Sequence, residues 1–112
     1  MPLINVKLST KKAPNTELLL KELSATLADL TGKPEKYVMC LLQTNVPMSF
    51  GGSNEPSCYV EIKSIGALRP PQMCKSYCDL ISSLTDIPSD RIYISFTDVP
   101  ASQWGYNGQT FG

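Results

Sequence analysis

The chain has 112 residues, 42% of them hydrophobic, and its ten basic and ten acidic side chains cancel to a formal charge of zero. That composition marks a globular chain able to bury a core without disulfides or metal. The lack of a basic stripe argues against nucleic acid or an anionic membrane as partner. Histidine is absent, which excludes Ser-His-Asp and Cys-His catalysis and His-containing metal sites. A general base must then be a carboxylate, Lys, Tyr, Cys or the amino terminus.

The opening "MPLINVKLST" alternates, with Ile4, Val6 and Leu8 on one face and Asn5, Lys7 and Ser9 on the other, the pattern of a half-buried strand. Proline is tolerated as a strand's first residue. If Met1 is removed, Pro2 is also a free secondary amine at the head of that strand. The charges of this segment follow its apolar stretch and no run of 18 apolar residues occurs anywhere. Neither a signal peptide nor a membrane span is expected, and the expected location is the cytoplasm.

"KKAPNTE" reads as a turn, with Pro14 and Asn15 near a helix start. From Thr16 to Leu30 a stripe of Leu20, Leu23, Leu27 and Leu30, widened by Leu19 and Ala28, predicts an amphipathic helix. Gly32 supplies a left-handed cap, and Pro34 blocks continuation. "KYVMCLLQT" is apolar enough to be a central strand. "NVPMSFGGSNEP" is a loop, and "SCYVEIKS" alternates again. After the loop "IGALRPPQ", Met73, Tyr77, Leu80, Ile81 and Leu84 mark a second helix that ends before Pro88. "RIYISF" is a further strand. The tail "TDVPASQWGYNGQTFG" has turn chemistry and three large aromatics, so it should pack on something. Cys40 and Cys58 lie in strand-like runs and Cys74 and Cys78 share a helix face; free thiols are expected, with no metal site.

The halves repeat. Pro2 to Pro34 and Pro56 to Pro88 are equal spans, and a shift of 54 overlays "INVKL" on "CYVEI" in phase. Each half reads strand–helix–strand, long enough for one βαβ crossover. The expected fold is a two-layer α+β domain over residues 1–112, with pseudo-repeats of about 2–44 and 56–98. Its four-stranded sheet carries both helices on one face. Apolar residues on the other face, Leu42 or Tyr59 for example, would call for a partner subunit.

Taken together, "MP", "TGKPEKYVM", "PMSFGGSNEPSCYVEIKSIG", "DRIYISF" and "WGYNGQTFG" resemble the macrophage migration inhibitory factor family of the tautomerase superfamily from end to end. The resemblance implies a homotrimer with the active site at the subunit interface. The implied reaction is keto–enol tautomerisation of phenylpyruvate-like α-keto acids, without cofactor or metal. The base would be Pro2 after loss of Met1. Lys33 would hold the substrate carboxylate and depress the proline pKa. Ser64 and Ile65 match positions that meet the substrate. Tyr93 would come from the neighbouring subunit, and Tyr37, Trp104, Tyr106 and Phe111 would wall the substrate ring. By themselves these residues also read as a solvated lysine, a strand-end turn, a strand tyrosine, and an aromatic cluster that could equally be a core plug.

The chain departs from the family at Ser95, where animal members commonly carry a substrate-contacting Asn, and at Trp104 and Tyr106, which reshape the aromatic wall. The Cys-x-x-Cys of some members is missing, since Ser57 and Val60 take its places, so no oxidoreductase activity is carried over. The alternatives are a cytokine-like signalling or binding protein, with a receptor and non-classical export, and a trimeric scaffold with a vestigial site.

Overall fold

A computed structural model describes residues 1–11 and 15–112. Strand β1 (Pro2–Leu8) buries Ile4, Val6 and Leu8, as its alternation requires. Helix α1 (Thr16–Thr31) starts at Asn15, whose Oδ1 accepts a 2.9 Å bond from the Leu18 amide, and ends at Gly32 with φ 69°, the left-handed geometry that favours glycine. Pro14, the other half of the expected start signal, lies outside the described residues. The buried line of α1 is Leu19, Leu23 and Leu27. It is centred one residue before the expected stripe, because strict i, i+4 spacing puts Leu20 on the flank of the face.

Strand β2 (Met39–Gln43) follows a single 3₁₀ turn at Glu35–Tyr37, and β3 (Cys58–Ser64) follows the long loop. Helix α2 (Pro70–Thr85) opens on two prolines, where a missing N–H costs nothing. It buries Met73, Tyr77 and Ile81. Strand β4 (Ile92–Asp98) completes the sheet, and β5 (Gly105–Tyr106) with β6 (Gln109–Thr110) forms a hairpin turned by Asn107-Gly108, both at positive φ.

The sheet order is β2-β1-β3-β4, with β1 parallel to β2, antiparallel to β3, and β3 parallel to β4. This is the expected pair of strand–helix–strand units joined at their first strands. Both helices cover one face, where Leu23, Leu27, Met73 and Ile81 meet Ile4, Val6, Val60 and Ile62 in one core. The Tyr77 hydroxyl donates a buried 3.1 Å bond to the Leu23 carbonyl and ties the two helices together. Each fully buried aliphatic side chain contributes about 1.5–3 kcal/mol.

Two expectations are corrected. "KYVMCLLQT" supplies an edge strand, because β1 and β3 take the centre and β2 pairs only with β1. Its apolar character instead shows as exposed Met39 and Leu41. Leu42 faces the helices, since it pairs with Val6 and packs against the core.

The uncovered face carries three cross-strand rows set by the register: Met39–Leu3–Lys63–Thr97, Leu41–Asn5–Glu61–Ser95 and Gln43–Lys7–Tyr59–Tyr93. It is apolar at the β2 edge, polar in the middle and aromatic at one corner.

Candidate active site

Proline heads β1 without breaking the ladder, and the reason is register. Pro2 pairs with Ser64, and the neighbouring bond runs from the Ile65 N–H to the Met1 carbonyl at 3.4 Å. Pro2 therefore occupies a non-hydrogen-bonded position, where β3 asks nothing of its nitrogen. The pyrrolidine ring is buried. The amino group one residue upstream is held below its ordinary value of 8.0, first by burial and then by the nearby Lys33 ammonium.

Lys33 is placed by the helix stop. The chain leaves α1 through Gly32, the Lys33 N–H bonds the Thr31 hydroxyl at 3.3 Å, and the half-buried side chain lies close enough to act on the chain's amino group. Ser64 is fully buried on the helix-facing side, and its Oγ has no hydrogen-bond partner. The following turn is pinned at two points: the Gly66 N–H donates to Asp98 Oδ1 at 3.0 Å and the Val99 N–H to the Ser64 carbonyl at 2.9 Å. That pinning fixes the direction of the Ile65 N–H.

The same end of the sheet gathers the aromatics. Tyr37 meets Tyr106 edge-on at 6.1 Å between ring centroids, and Tyr106 stacks on Phe111 at 5.9 Å. Trp104 is half-buried at the hairpin base, where its carbonyl accepts the Phe111 N–H at 3.1 Å. The tail is thus anchored, as its apolar content requires. Tyr106 and Phe111 remain exposed enough to receive a flat ligand.

Tyr93 and Ser95 lie elsewhere. Tyr93 is in register with Lys7, five residues along β1 from Pro2 and two strands away. At about 3.3 Å per residue that separation is roughly 17 Å along the strand alone. Both side chains also stand on the uncovered face, opposite the helix-facing side of Pro2. One chain therefore does not bring them to the proline.

Arg91 and Phe50, which organise this corner, carried no signal in the sequence. Arg91 donates to four carbonyls of the "FGGSNEP" loop: Phe50 at 3.2 Å, Ser53 at 3.3 Å, Glu55 at 3.0 Å and Pro56 at 3.0 Å. Its guanidinium also lies 5.2 Å from the Phe50 ring centre. Phe50 packs on Tyr93 at 4.6 Å, beside a cleft of about 540 Å³ lined also by Met48 and Tyr59. On the uncovered face the Tyr59 hydroxyl lies 2.9 Å from Ser95 Oγ and donates to Glu61 Oε1 at 3.1 Å. The i, i+2 spacing of Tyr59 and Glu61 was a readable hint that they share a face; their link to Ser95 depends on strand pairing.

Comparison with known proteins matches this arrangement. The family model "Macrophage migration inhibitory factor (MIF)" matches residues 1–112. A macrophage migration inhibitory factor of Xenopus laevis is 35% identical over 115 residues, covering 99% of each chain, and that of Mus musculus is 35% identical over 114 residues with the same coverage. The crystal structure of a macrophage migration inhibitory factor homologue from Prochlorococcus marinus superposes with a TM-score of 0.93 at 53% identity, covering 98% of this chain and 99% of that one. End-to-end coverage, the shared fold and the matched motifs agree: the chain belongs to the macrophage migration inhibitory factor family of the tautomerase superfamily.

Proposed function

We propose that residues 1–112 act as a single-domain keto–enol tautomerase on phenylpyruvate-like α-keto acids, with Pro2 as general base after Met1 is removed. One observation carries this reading. The amino group at the head of β1 is depressed by burial and by Lys33, and the Ile65 N–H points at the carbonyl attached to it. Removing Met1 moves the amine one residue deeper, onto the buried Pro2, and leaves Lys33 in place. Burial and the cation then act on the proline nitrogen in the same direction, favouring its neutral form, the form able to take a proton from carbon.

The Met1 carbonyl marks where an oxygen accepts from Ile65. In the processed chain that donor is free to receive the developing enolate oxygen beside the base. Lys33 anchors the substrate carboxylate, while Tyr37, Tyr106 and Phe111, with Trp104 behind them, receive the ring. The protonated proline then returns a proton to the other end of the enol system. Tyr93 and Ser95 are supplied by a neighbouring subunit of a homotrimer. The open edges of β2 and β4 and the uncovered face with its exposed Met39, Leu41 and Tyr93 support such an assembly. Members of the family are typically homo-oligomers that bind small molecules. The alternative is a cytokine-like signalling or binding role with an incidental pocket, and the names of the curated relatives favour it. No helix of the described residues is long and apolar enough to cross a membrane.

The test follows phenylpyruvate enol–keto conversion by absorbance. It compares protein with a mass-verified Pro2 terminus against Pro2→Gly and a Met1-bearing form. The processed chain is expected to be fastest, with the Met1-bearing form near background. Equal rates in all three reject Pro2 as the base.

A further inference from the structure

Cys74 and Cys78 take no part in the candidate site. They stand four residues apart within α2, so one lies above the other on a single face of the helix. The sequence alone points to free thiols here, and both are free, Cys74 exposed and Cys78 half-buried. The helix is held down by buried Met73, Tyr77 and Ile81, and Cys78 packs against that core. The two thiols are close enough to act on one another. The Cys78 thiol is held above its ordinary value of 9.0, first by burial and then by the neighbouring Cys74.

Helix geometry decides what such a pair can do. Positions i and i+4 put their Cβ atoms about 5–6 Å apart. A disulfide needs about 3.5–4.5 Å, so joining these sulfurs directly would unwind a turn that Met73 and Tyr77 hold in place. A bridging metal ion has a longer reach. At about 2.3 Å per metal–thiolate bond, one ion holds two sulfurs up to about 4.6 Å apart. The ion has to be satisfied by two soft ligands. Among the described residues no group of three His, Cys, Asp or Glu side chains is placed to hold a metal. The adjacent Asp79 carboxylate is engaged by the Lys75 ammonium at 3.2 Å. The four ligands of a zinc site are therefore not at hand, whereas a pair of soft thiolates suits monovalent copper.

We propose that Cys74 and Cys78 chelate one Cu(I) ion, a two-sulfur site on α2 that stands apart from the tautomerase reading. Cys74 meets the ion from solvent, and Cys78, seated against the core, fixes it. Each thiol gives its proton to water as its sulfur binds. Two thiolates and one monovalent cation leave a complex with a single negative charge, and nothing is oxidised or reduced.

The test loads the reduced protein with Cu(I) under nitrogen, as its acetonitrile complex, and withdraws the metal with bathocuproine disulfonate, whose colour reports the copper removed. Parent, Cys74→Ser, Cys78→Ser and Cys40→Ala are compared. The parent should retain one Cu(I) per chain, and Cys40→Ala should match it. Each serine variant should hold the ion at least ten-fold more weakly, since a residue that merely supports a metal ligand is already worth about 10–100-fold. Copper should raise the melting temperature of the parent and leave that of the serine variants where it was. Cys74 is exposed, so its serine variant keeps the fold and decides the matter even where Cys78→Ser does not fold. A loss below about ten-fold in Cys74→Ser, an equal loss in Cys40→Ala, or a parent stripped as readily as Cys74→Ser overturns the proposal. So does a copper-dependent rise in particle size on gel filtration, which would put the ion between molecules.

Discussion

Arg91 offers a direct measure of what holds the "FGGSNEP" loop. Its guanidinium serves four backbone carbonyls and lies against Phe50, so Arg91→Ala removes five contacts at once. Hydrogen bonds to a charged group contribute about 1.5–3 kcal/mol when shielded. Here the bonds to Phe50 and Ser53 are part-buried and those to Glu55 and Pro56 are exposed. Allowing about 1 kcal/mol for each part-buried bond and less for the exposed pair, the expected loss is about 3 kcal/mol. With an unfolding entropy near 2.1 cal/mol/K per residue, a chain of 112 residues loses roughly 4 °C per kcal/mol, so Tm should fall by about 12 °C. Arg91→Lys should recover less than half, because an ammonium cannot present a planar fork to several carbonyls. Urea unfolding at fixed protein concentration, followed by far-UV dichroism, gives the free-energy losses, and a thermal melt gives the fall in Tm. Phe50 should also lose its hold on Tyr93, so KM for the keto acid should rise more than kcat falls. A loss below about 0.5 kcal/mol in Arg91→Ala, or a lysine variant as stable as the parent, would refute the assignment of the loop to this side chain.

Other substitutions follow from single contacts. Tyr77→Phe removes the bond to the Leu23 carbonyl but leaves that oxygen its intrahelical partner, so it should cost about 1 kcal/mol in denaturant unfolding. Lys33→Met removes the cation that depresses the amino group. In the Met1-bearing chain the amine should titrate higher by NMR, and in the processed enzyme the ascending limb of kcat/KM should move to higher pH. Burial pushes the Cys58 thiol from 9.0 up to about 12. The folded state thus keeps its proton while the unfolded chain ionises above pH 9. The stability this gives is complete below pH 9 and should fall by about 1.4 kcal/mol per pH unit above it until pH 12. Cys58→Ala should flatten that part of the pH–stability curve.

The fold was legible where its determinants are local. Ile4, Val6 and Leu8 alternate within one strand, Asn15 and Gly32 bracket one helix, and the 54-residue shift aligns two copies of one plan. Reading failed where the answer depends on which strands become neighbours. The apolarity of "KYVMCLLQT" does not say where β2 sits, because such a run suits a central strand and equally an edge strand that keeps Met39 and Leu41 exposed. The face of Leu42 could be assigned only once Val6 was known to lie beside it. At the candidate site, Pro2, Lys33, Ser64, Ile65 and the aromatic cluster could be proposed through motif resemblance, because each sits in a short stretch with fixed spacing. The loop contacts of Arg91 and the link from Tyr59 to Ser95 could not. Their partners lie 35 to 41 residues away for Arg91 and 36 for the Tyr59–Ser95 pair, and only register brings them together.

The Ile65 contact has a practical consequence for anyone preparing this protein. Any residue left ahead of Pro2, an affinity tag or leader remnant included, converts the proline nitrogen to an amide and sets a carbonyl against the Ile65 N–H. Such a sample keeps its sheet and its core, and under the proposed role of Pro2 it is expected to be inactive. A blank assay on tagged material would then report on the added residues, and tags are better attached well away from the head of β1.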